Sequence, residues 1–242
     1  MKIAVISDIH GNLESFVRVL ADMDRVGFDR AVCLGDIIGY GPNPQEVVDL
    51  LRARSIPSVM GNHELALVQP DFLDWFNDAA RASLLLTERM ISGDTRKWLE
   101  SLPATMVFEN ALFVHGCPPD SITEYILEWS DAGLGTIFSR MENRLCFVGH
   151  THTLDAISFA GSRVRHHSLG AGIFELDPNV KYIINVGSVG QPRDRCGNNA
   201  KYALWDTAGM RVEIRSVPYD VVTTTKKIIR LGFPSINAYR LQ

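Results

Sequence analysis

The chain has 242 residues, 46% of them hydrophobic and 21% charged, with a formal net charge of −4; this is the balance of an ordinary globular protein. A chain of this length buries roughly 70–75% of its unfolded surface and needs no disulfide or metal merely to fold. The charge argues against a dedicated nucleic-acid binder, and no apolar run approaches the ~18 residues needed to span a membrane.

In chain order, "KIAVISD" reads as a strand rather than a secretory leader, because Asp8 and His10 cut its apolar run. "LESFVRVLADMDRVG" places Leu13, Phe16, Val17, Leu20 and Met23 on one helical face and stops at Gly27. "RAVCLGD" is a second strand, "PQEVVDLLRAR" a helix with Pro44 and Gln45 at its start, and "IPSVMGNH" a third strand. From Phe72 to Arg89 one helix is expected, with Trp75, Phe76, Ala79, Leu84 and Leu86 among its apolar positions.

After residue 104 strands dominate. "ATMVFENALFVHG" predicts a hairpin across Glu109-Asn110, and "LCFVGHTH", "LDAISFAGSRVRHHS" and "KYIINVGS" add further strands. "AKYALWDTAGMRVEIRSV" predicts another hairpin, and "YDVVTTTKKIIRLGF" a closing helix ending at Gly232. The first half implies an α/β sheet and the second a more antiparallel one. Together they predict an α/β fold in which a β-sandwich is flanked by helices, built as a single domain over 1–242. The four cysteines (Cys33, Cys117, Cys146, Cys196) lack C-x-x-C spacing and read as reduced thiols in a cytoplasmic protein.

Five predicted strands end in residues of metal-ligand type: Asp8 and His10, Asp36, Asn62 and His63, His115, then His150 and His152. Each has a bland reading alone, since "GD" is a common turn and "GNHE" a plausible helix start. Ligands in open α/β sheets bind beyond the carboxyl ends of strands, so jointly the five ends point to one crevice. Five of the chain's seven histidines fall there, while His166 and His167 lie in "RVRHHS", where exposure is the default. Asp8, His10, Asp36, Asn62, His115, His150 and His152 are too many donors for one tetrahedral zinc and suit two divalent ions. Carboxylate, amide and imidazole without thiolate favour manganese, with iron, zinc, nickel or magnesium as alternatives.

The ordered set "SDIHGN", "GDIIGYGPNP", "GNHE", "VHG" and "GHTH" resembles the calcineurin-like metallophosphoesterase superfamily, and within it the compact bacterial branch of phosphodiesterases and diadenosine tetraphosphatase-related proteins. The resemblance runs through "NVGSVGQPRD" to about residue 217. It implies a four-layer α/β/β/α sandwich of two mixed sheets, the metallo-dependent phosphatase fold, without an inserted cap domain. It assigns Asp8, His10, Asp36 and His152 to a first metal and Asp36, Asn62, His115 and His150 to a second, with Asp36 bridging through both oxygens. Alternating side chains along an extended segment would send His150 and His152 to different ions. His63 would act as general acid or stabilise charge near the phosphate. Glu64 would support the site or start a helix, and Asn12 would orient a loop.

The implied activity is hydrolysis of phosphodiester or phosphoanhydride bonds by a metal-bound hydroxide. Asymmetrical cleavage of diadenosine polyphosphates, or a protein or monoester phosphatase, is the alternative, and a non-catalytic scaffold the rival class. Many phosphatases of this superfamily carry "GDxxDRG", and "GDIIGYGPN" has no such Arg. Anion binding then falls to Arg193, Asn62 and His63, with Asp120–Tyr125 at the mouth of the site. The partner expected is a small phosphorylated molecule such as a nucleotide, and the chain a monomer or homodimer.

Overall fold

The computed structural model describes residues 1–194 and 197–242; Cys196 lies outside them. β1 (Lys2–Ile6) leads to α1 (Leu13–Val26), which Asn12 caps by accepting from the Ser15 N–H and which ends at Gly27. β2 (Arg30–Cys33) and α2 (Pro44–Ala53) follow, with Pro44 in the first turn. The third strand expected in "IPSVMGNH" does not form. Residues 56–61 make one isolated bridge, Cys33 to Ser58, because Pro57 has no N–H for a ladder and the chain turns at once into α3 (Asn62–Val68). The helix expected over 72–89 is also divided. A 3₁₀ turn at Pro70–Trp75 gives way to an extended Phe76, and Asn77 caps α4 (Asp78–Met90) by accepting from the Ala80 N–H. α5 (Gly93–Glu100), capped by Ser92, has no counterpart in the sequence reading.

β3 (Thr105–Phe108) and β4 (Ala111–Val114) form the expected hairpin, with Glu109 and Asn110 at φ 48° and 61°. α6 (Asp131–Arg140), likewise absent from the expected elements, precedes β5 (Leu145–Val148) and the hairpin of β6 (Leu154–Ala160) with β7 (Arg163–Ser168). The unanticipated β8 (Gly172–Glu175) precedes β9 (Lys181–Val186) and the hairpin of β10 (Ala200–Asp206) with β11 (Arg211–Val217). α7 (Val221–Arg230) and a short α8 (Ser235–Tyr239) close the chain.

The strands make two mixed sheets, ordered β2-β1-β10-β11-β8 and β3-β4-β5-β9-β6-β7. The division between an α/β half and an antiparallel half needs correction. The β10–β11 hairpin joins the first sheet, antiparallel to β1, while β4, β5 and β9 run parallel in the second. Alternation along each strand builds the layers. Ile3 and Val5 join Phe113, Phe147 and Ile184 between the sheets. Ala4 and Ile6 face outward onto Phe16, Val19, Val48 and Leu51 of α1 and α2, and Cys146 and Val148 face outward onto Leu134 and Phe138 of α6. The result is a four-layer α/β/β/α sandwich. β1 and β2 are parallel neighbours in one sheet, and β4, β5 and β9 in the other, so their carboxyl ends supply loops to one edge. Among the described residues no helix is long and apolar enough to cross a membrane.

Candidate metal centre

Asp8 and His10 follow β1, Asp36 follows β2, His115 follows β4, and His150 and His152 follow β5. Asn62 and His63 open α3 instead of ending a strand. All of these but Asn62 are buried. The loops adopt backbone that most L-residues avoid: Asp8, His10, Asp36, Tyr40, His150 and His152 all have φ between 40° and 67°. Strand alternation, which puts residues two apart on one face, therefore does not send His150 and His152 to different donor groups as expected; the left-handed backbone on either side of Thr151 does. Two left-handed residues flank Thr151, whose hydroxyl is held by Asn185 Nδ2 at 2.7 Å. Hydrogen bonds lock neighbouring loops together, with the His10 N–H on Asp36 O at 2.9 Å and the Gly11 N–H on Ile37 O at 2.8 Å. Gly35, at φ 92°, packs directly on the Gly61 backbone, where a Cβ would collide.

The donor atoms gather in two groups, Asp8, His10, Asp36 and His152, and Asp36, His115 and His150, each within 4.8 Å. His10 Nδ1 donates to Ile38 O at 2.9 Å and His152 Nδ1 to Gln191 O at 2.7 Å. Those bonds fix the tautomers, so each Nε2 carries a lone pair. Yet the two Nε2 atoms face each other at 3.0 Å, and Asp8 Oδ1, 3.3 Å from His152 Nε2, is buried without a partner. Two lone pairs and an orphaned carboxylate oxygen converge with no hydrogen between them. Donors held ~2.1 Å from one cation lie about 3.0–3.4 Å apart at right or tetrahedral angles, so these residues fit a metal ion.

In the second group His115 Nδ1 donates to Leu34 O at 2.8 Å, and its Nε2 lies 3.1 Å from Asn62 Oδ1 and 3.4 Å from Asp36 Oδ2. His150 takes the opposite tautomer. Its Nε2 donates to Thr123 O at 3.1 Å, which leaves the Nδ1 lone pair free. Asp36 Oδ1 accepts the His63 N–H at 2.9 Å, whereas Oδ2 lies 3.6 Å from His10 Nε2 and 3.4 Å from His115 Nε2. Oδ2 thus faces imidazoles of both donor groups, while Oδ1 satisfies an amide in the first turn of α3.

Burial governs the titration of these groups. It pushes His10 and His152 well below the ordinary imidazole range, against the pull of the Asp36 carboxylate. Burial and the neighbouring His115 take His150 to about 3, and burial takes His63 to about 4. Asp36 goes the other way for a buried carboxyl: burial is outweighed by the imidazoles of His115 and His63, and it stays well below the carboxylate range. For His115 burial is likewise outweighed by Asp36, which draws it up to about 9. A proton answers there to the negative charge that a cation would neutralise.

Several residues act from behind. Glu64, buried, accepts backbone N–H groups of Asp36, Ile37, Ile38 and Gly61 at 2.8–3.2 Å. It fixes the loop that presents Asp36. Asn12 donates to Gly190 O and caps α1, so it orients loops. Ser188 Oγ donates to Asp8 O at 2.8 Å. Tyr40, absent from the sequence reading, sets its ring 4.6 Å from His10 and 4.7 Å from His63. Gly39 lies against His63 Nδ1, where no Cβ fits. Arg193 is exposed; its N–H donates to His152 O at 3.0 Å and its Nη2 to Gln191 Oε1 at 2.7 Å, with the guanidinium 5.7 Å from the Tyr40 ring centroid. Tyr125 stacks on His150 at 3.8 Å. His166 and His167 lie on β7, paired with Asp131 and Ser158. A faint sequence signal for the loop after β9 exists in "VGSVGQP", which follows a buried strand but offers no metal-ligand type.

A family model for the calcineurin-like phosphoesterase superfamily domain matches residues 1–210. An uncharacterised protein of Methanocaldococcus jannaschii is 39% identical over 246 residues, covering 99% of this chain and 96% of its own. The crystal structure of a metallophosphoesterase from Sphaerobacter thermophilus matches with a TM-score of 0.85 at 35% identity, over 100% of this chain and 98% of that one. A hypothetical protein from Pyrococcus horikoshii shares the fold, with a TM-score of 0.80 at 20% identity over 99% and 97% of the two chains. The chain therefore belongs to the calcineurin-like phosphoesterase superfamily.

Proposed function

We propose that the protein hydrolyses phosphodiesters, with phosphoanhydrides of the dinucleoside polyphosphate type as a second class, using two divalent ions of which manganese comes first. The observation that carries this reading is the convergence of the His10 and His152 Nε2 lone pairs, 3.0 Å apart, beside the partnerless Asp8 Oδ1. Asp8, His10, Asp36 and His152 would hold one ion, and Asp36, Asn62, His115 and His150 the other, with Asp36 common to both. When bound, such ions supply Lewis acidity to the phosphoryl oxygens and acidify a water near neutral pH.

The chain's own residues supply position and protons. His63 sits beside both groups, its Nε2 3.9 Å from Asp36 Oδ2 and its Nδ1 without a partner. An arriving phosphate raises an imidazole pKa by its negative charge, which lets His63 hold a proton for the leaving oxygen. Arg193 grips the anion from the rim, steadied by Gln191 and Tyr40, where no Arg follows Asp36 in "GDIIGYG". Asn62 and the backbone at the start of α3 complete the anion contacts. We read the chain as one domain without an inserted cap, a monomer or homodimer of the cytoplasm, where the buried free thiols of Cys33, Cys117 and Cys146 stay reduced.

Manganese-loaded protein assayed on bis(p-nitrophenyl) phosphate, diadenosine tetraphosphate and p-nitrophenyl phosphate tests the reading. Turnover of the diester is expected first. Failure on all three contradicts a catalytic role. His63→Ala should keep its metals and lose about 10²–10⁴ in rate; unchanged turnover removes His63 as proton donor.

A further inference from the structure

Beside the donor groups lies a cleft with about 140 Å³ of room, walled by Phe72, Trp75, Phe76, Tyr40 and Tyr125. Asn62, His63 and His150 line it too, so it opens onto the candidate metal centre. Its remaining lining is Asn77, Ala80 and Thr123, and among the described residues no Lys, Arg, Asp or Glu takes part. The cleft is therefore built for an uncharged group and not for a second phosphate.

Most of its rings already have work in the fold. Phe72 and Phe76 pack on the core beneath α3 and α4, and Phe76 also lies 4.8 Å from His63. Tyr125 covers His150, and Tyr40 packs against His10 and His63. Trp75 differs. It is 78% exposed, and among the described residues its one ring contact is with Phe72, at 5.7 Å and 42°. A Trp side chain that could bury ~150–250 Å² thus presents its indole to solvent at the rim of the site. The room available resembles the ~150 Å³ apolar cavity that accepts a benzene ring.

We propose that this cleft binds one uncharged planar ring attached to the substrate's phosphorus-bearing group, stacked on Trp75. An aryl group and a nucleobase share that chemistry. The inference rests on the phosphoester reading and deepens it: the preferred substrates carry an aromatic group next to the scissile bond. Stacking acts alike on bound substrate and transition state, so it belongs in KM more than in kcat.

The test uses the full, manganese-loaded chain and binding of non-hydrolysable phosphonates by calorimetry. Phenylphosphonate should bind about tenfold tighter than methylphosphonate, the yield of one stacked ring. Trp75→Ala should bring that ratio close to one, and Trp75→Phe should retain most of it. A change at so exposed a position is tolerated by the fold. Trp129→Ala, an exposed indole outside the cleft, should leave the ratio as it was. A nucleoside 5′-methylenephosphonate that outbinds phenylphosphonate assigns the ring to a nucleobase, and the reverse order to an aryl ester; both support the proposal. Equal binding of phenyl and methyl ligands by the wild type, or an undiminished ratio in Trp75→Ala, overturns it. Turnover of bis(p-nitrophenyl) phosphate by the same preparation keeps the two readings apart. Its loss strikes the hydrolase reading, while the binding ratio alone decides the ring cleft.

Discussion

Glu64 shows how a side chain that touches no substrate sets up a site. Its two oxygens take four backbone N–H groups, three of them from the loop that carries Asp36. Burial and the nearby Asp36 charge raise its pKa, while the amides it accepts oppose that. Glu64→Ala leaves those donors buried and unpaired, so it should destabilise the chain by about 3–5 kcal/mol in urea unfolding. Glu64→Gln, which keeps one acceptor, should lose clearly less, and either variant should weaken metal binding by about 10–100-fold. Equal stability of Glu64→Ala and wild type would show that the loop holds itself. At this scale the sequence was readable for chemistry and mute on backbone. Asp8, His10, Asp36, His150 and His152 stood out as ligand types after apolar runs. Their left-handed φ values did not, because residue identity weakly encodes that region for anything but glycine and asparagine.

Between elements, the outer helices are tied to the sheets by few, well-placed polar groups. Asp22 of α1 accepts from Tyr202 Oη at 2.9 Å and from Arg215 at 3.0 and 3.1 Å, joining α1 to β10 and β11. Its partial burial is outweighed by Arg215 and Arg25, so its pKa is held below the usual carboxylate value. A depressed carboxylate stabilises the fold above its unfolded pKa near 3.9 and loses that contribution as pH falls through the lower folded value. The stability gap between wild type and Asp22→Asn should thus be about 1 kcal/mol and level from pH 7 to 5, then shrink below about pH 4. A gap that widened on acidification would contradict the sign. At the other end of the chain, Asn237 of α8 is buried and donates to Tyr40 O at 3.0 Å and Ser83 Oγ at 2.8 Å. Asn237→Ala should cost about 1–3 kcal/mol and lower turnover by loosening Tyr40; loss of stability with full turnover would confine it to packing. The helices α1, α2 and α7 and the hairpins β3–β4 and β10–β11 were legible, since their patterns are local. The missing third strand and the divided 72–89 helix were not: Pro57 and the Asn77 cap decide them, and each outweighs a pattern of apolar spacing. Nor did any local pattern show that β10 pairs with β1, some 200 residues away.

On the scale of the whole molecule, the core between the sheets and the candidate centre are one construction. Phe113 and Phe147 stack at 5.4 Å in that core, and the strands that bear them end at His115 and His150. Phe147→Ala should destabilise by about 3–5 kcal/mol in thermal or urea unfolding; a loss below ~1 kcal/mol would mean the sheets pack independently of it. Because the parallel strands of both sheets deliver their loops to one edge, each sheet supplies part of the donor set: Asp8, His10 and Asp36 from the first, His115, His150 and His152 from the second. On the proposed function these donors would hold two ions that share Asp36. The direct measurement is metal content per chain after manganese loading and desalting, for wild type, His150→Ala, His152→Ala and Asp36→Ala. About two ions are expected for the wild type, a drop toward one in each histidine variant, and near-complete loss in Asp36→Ala. One ion or fewer in the wild type, or two retained without Asp36, would contradict it.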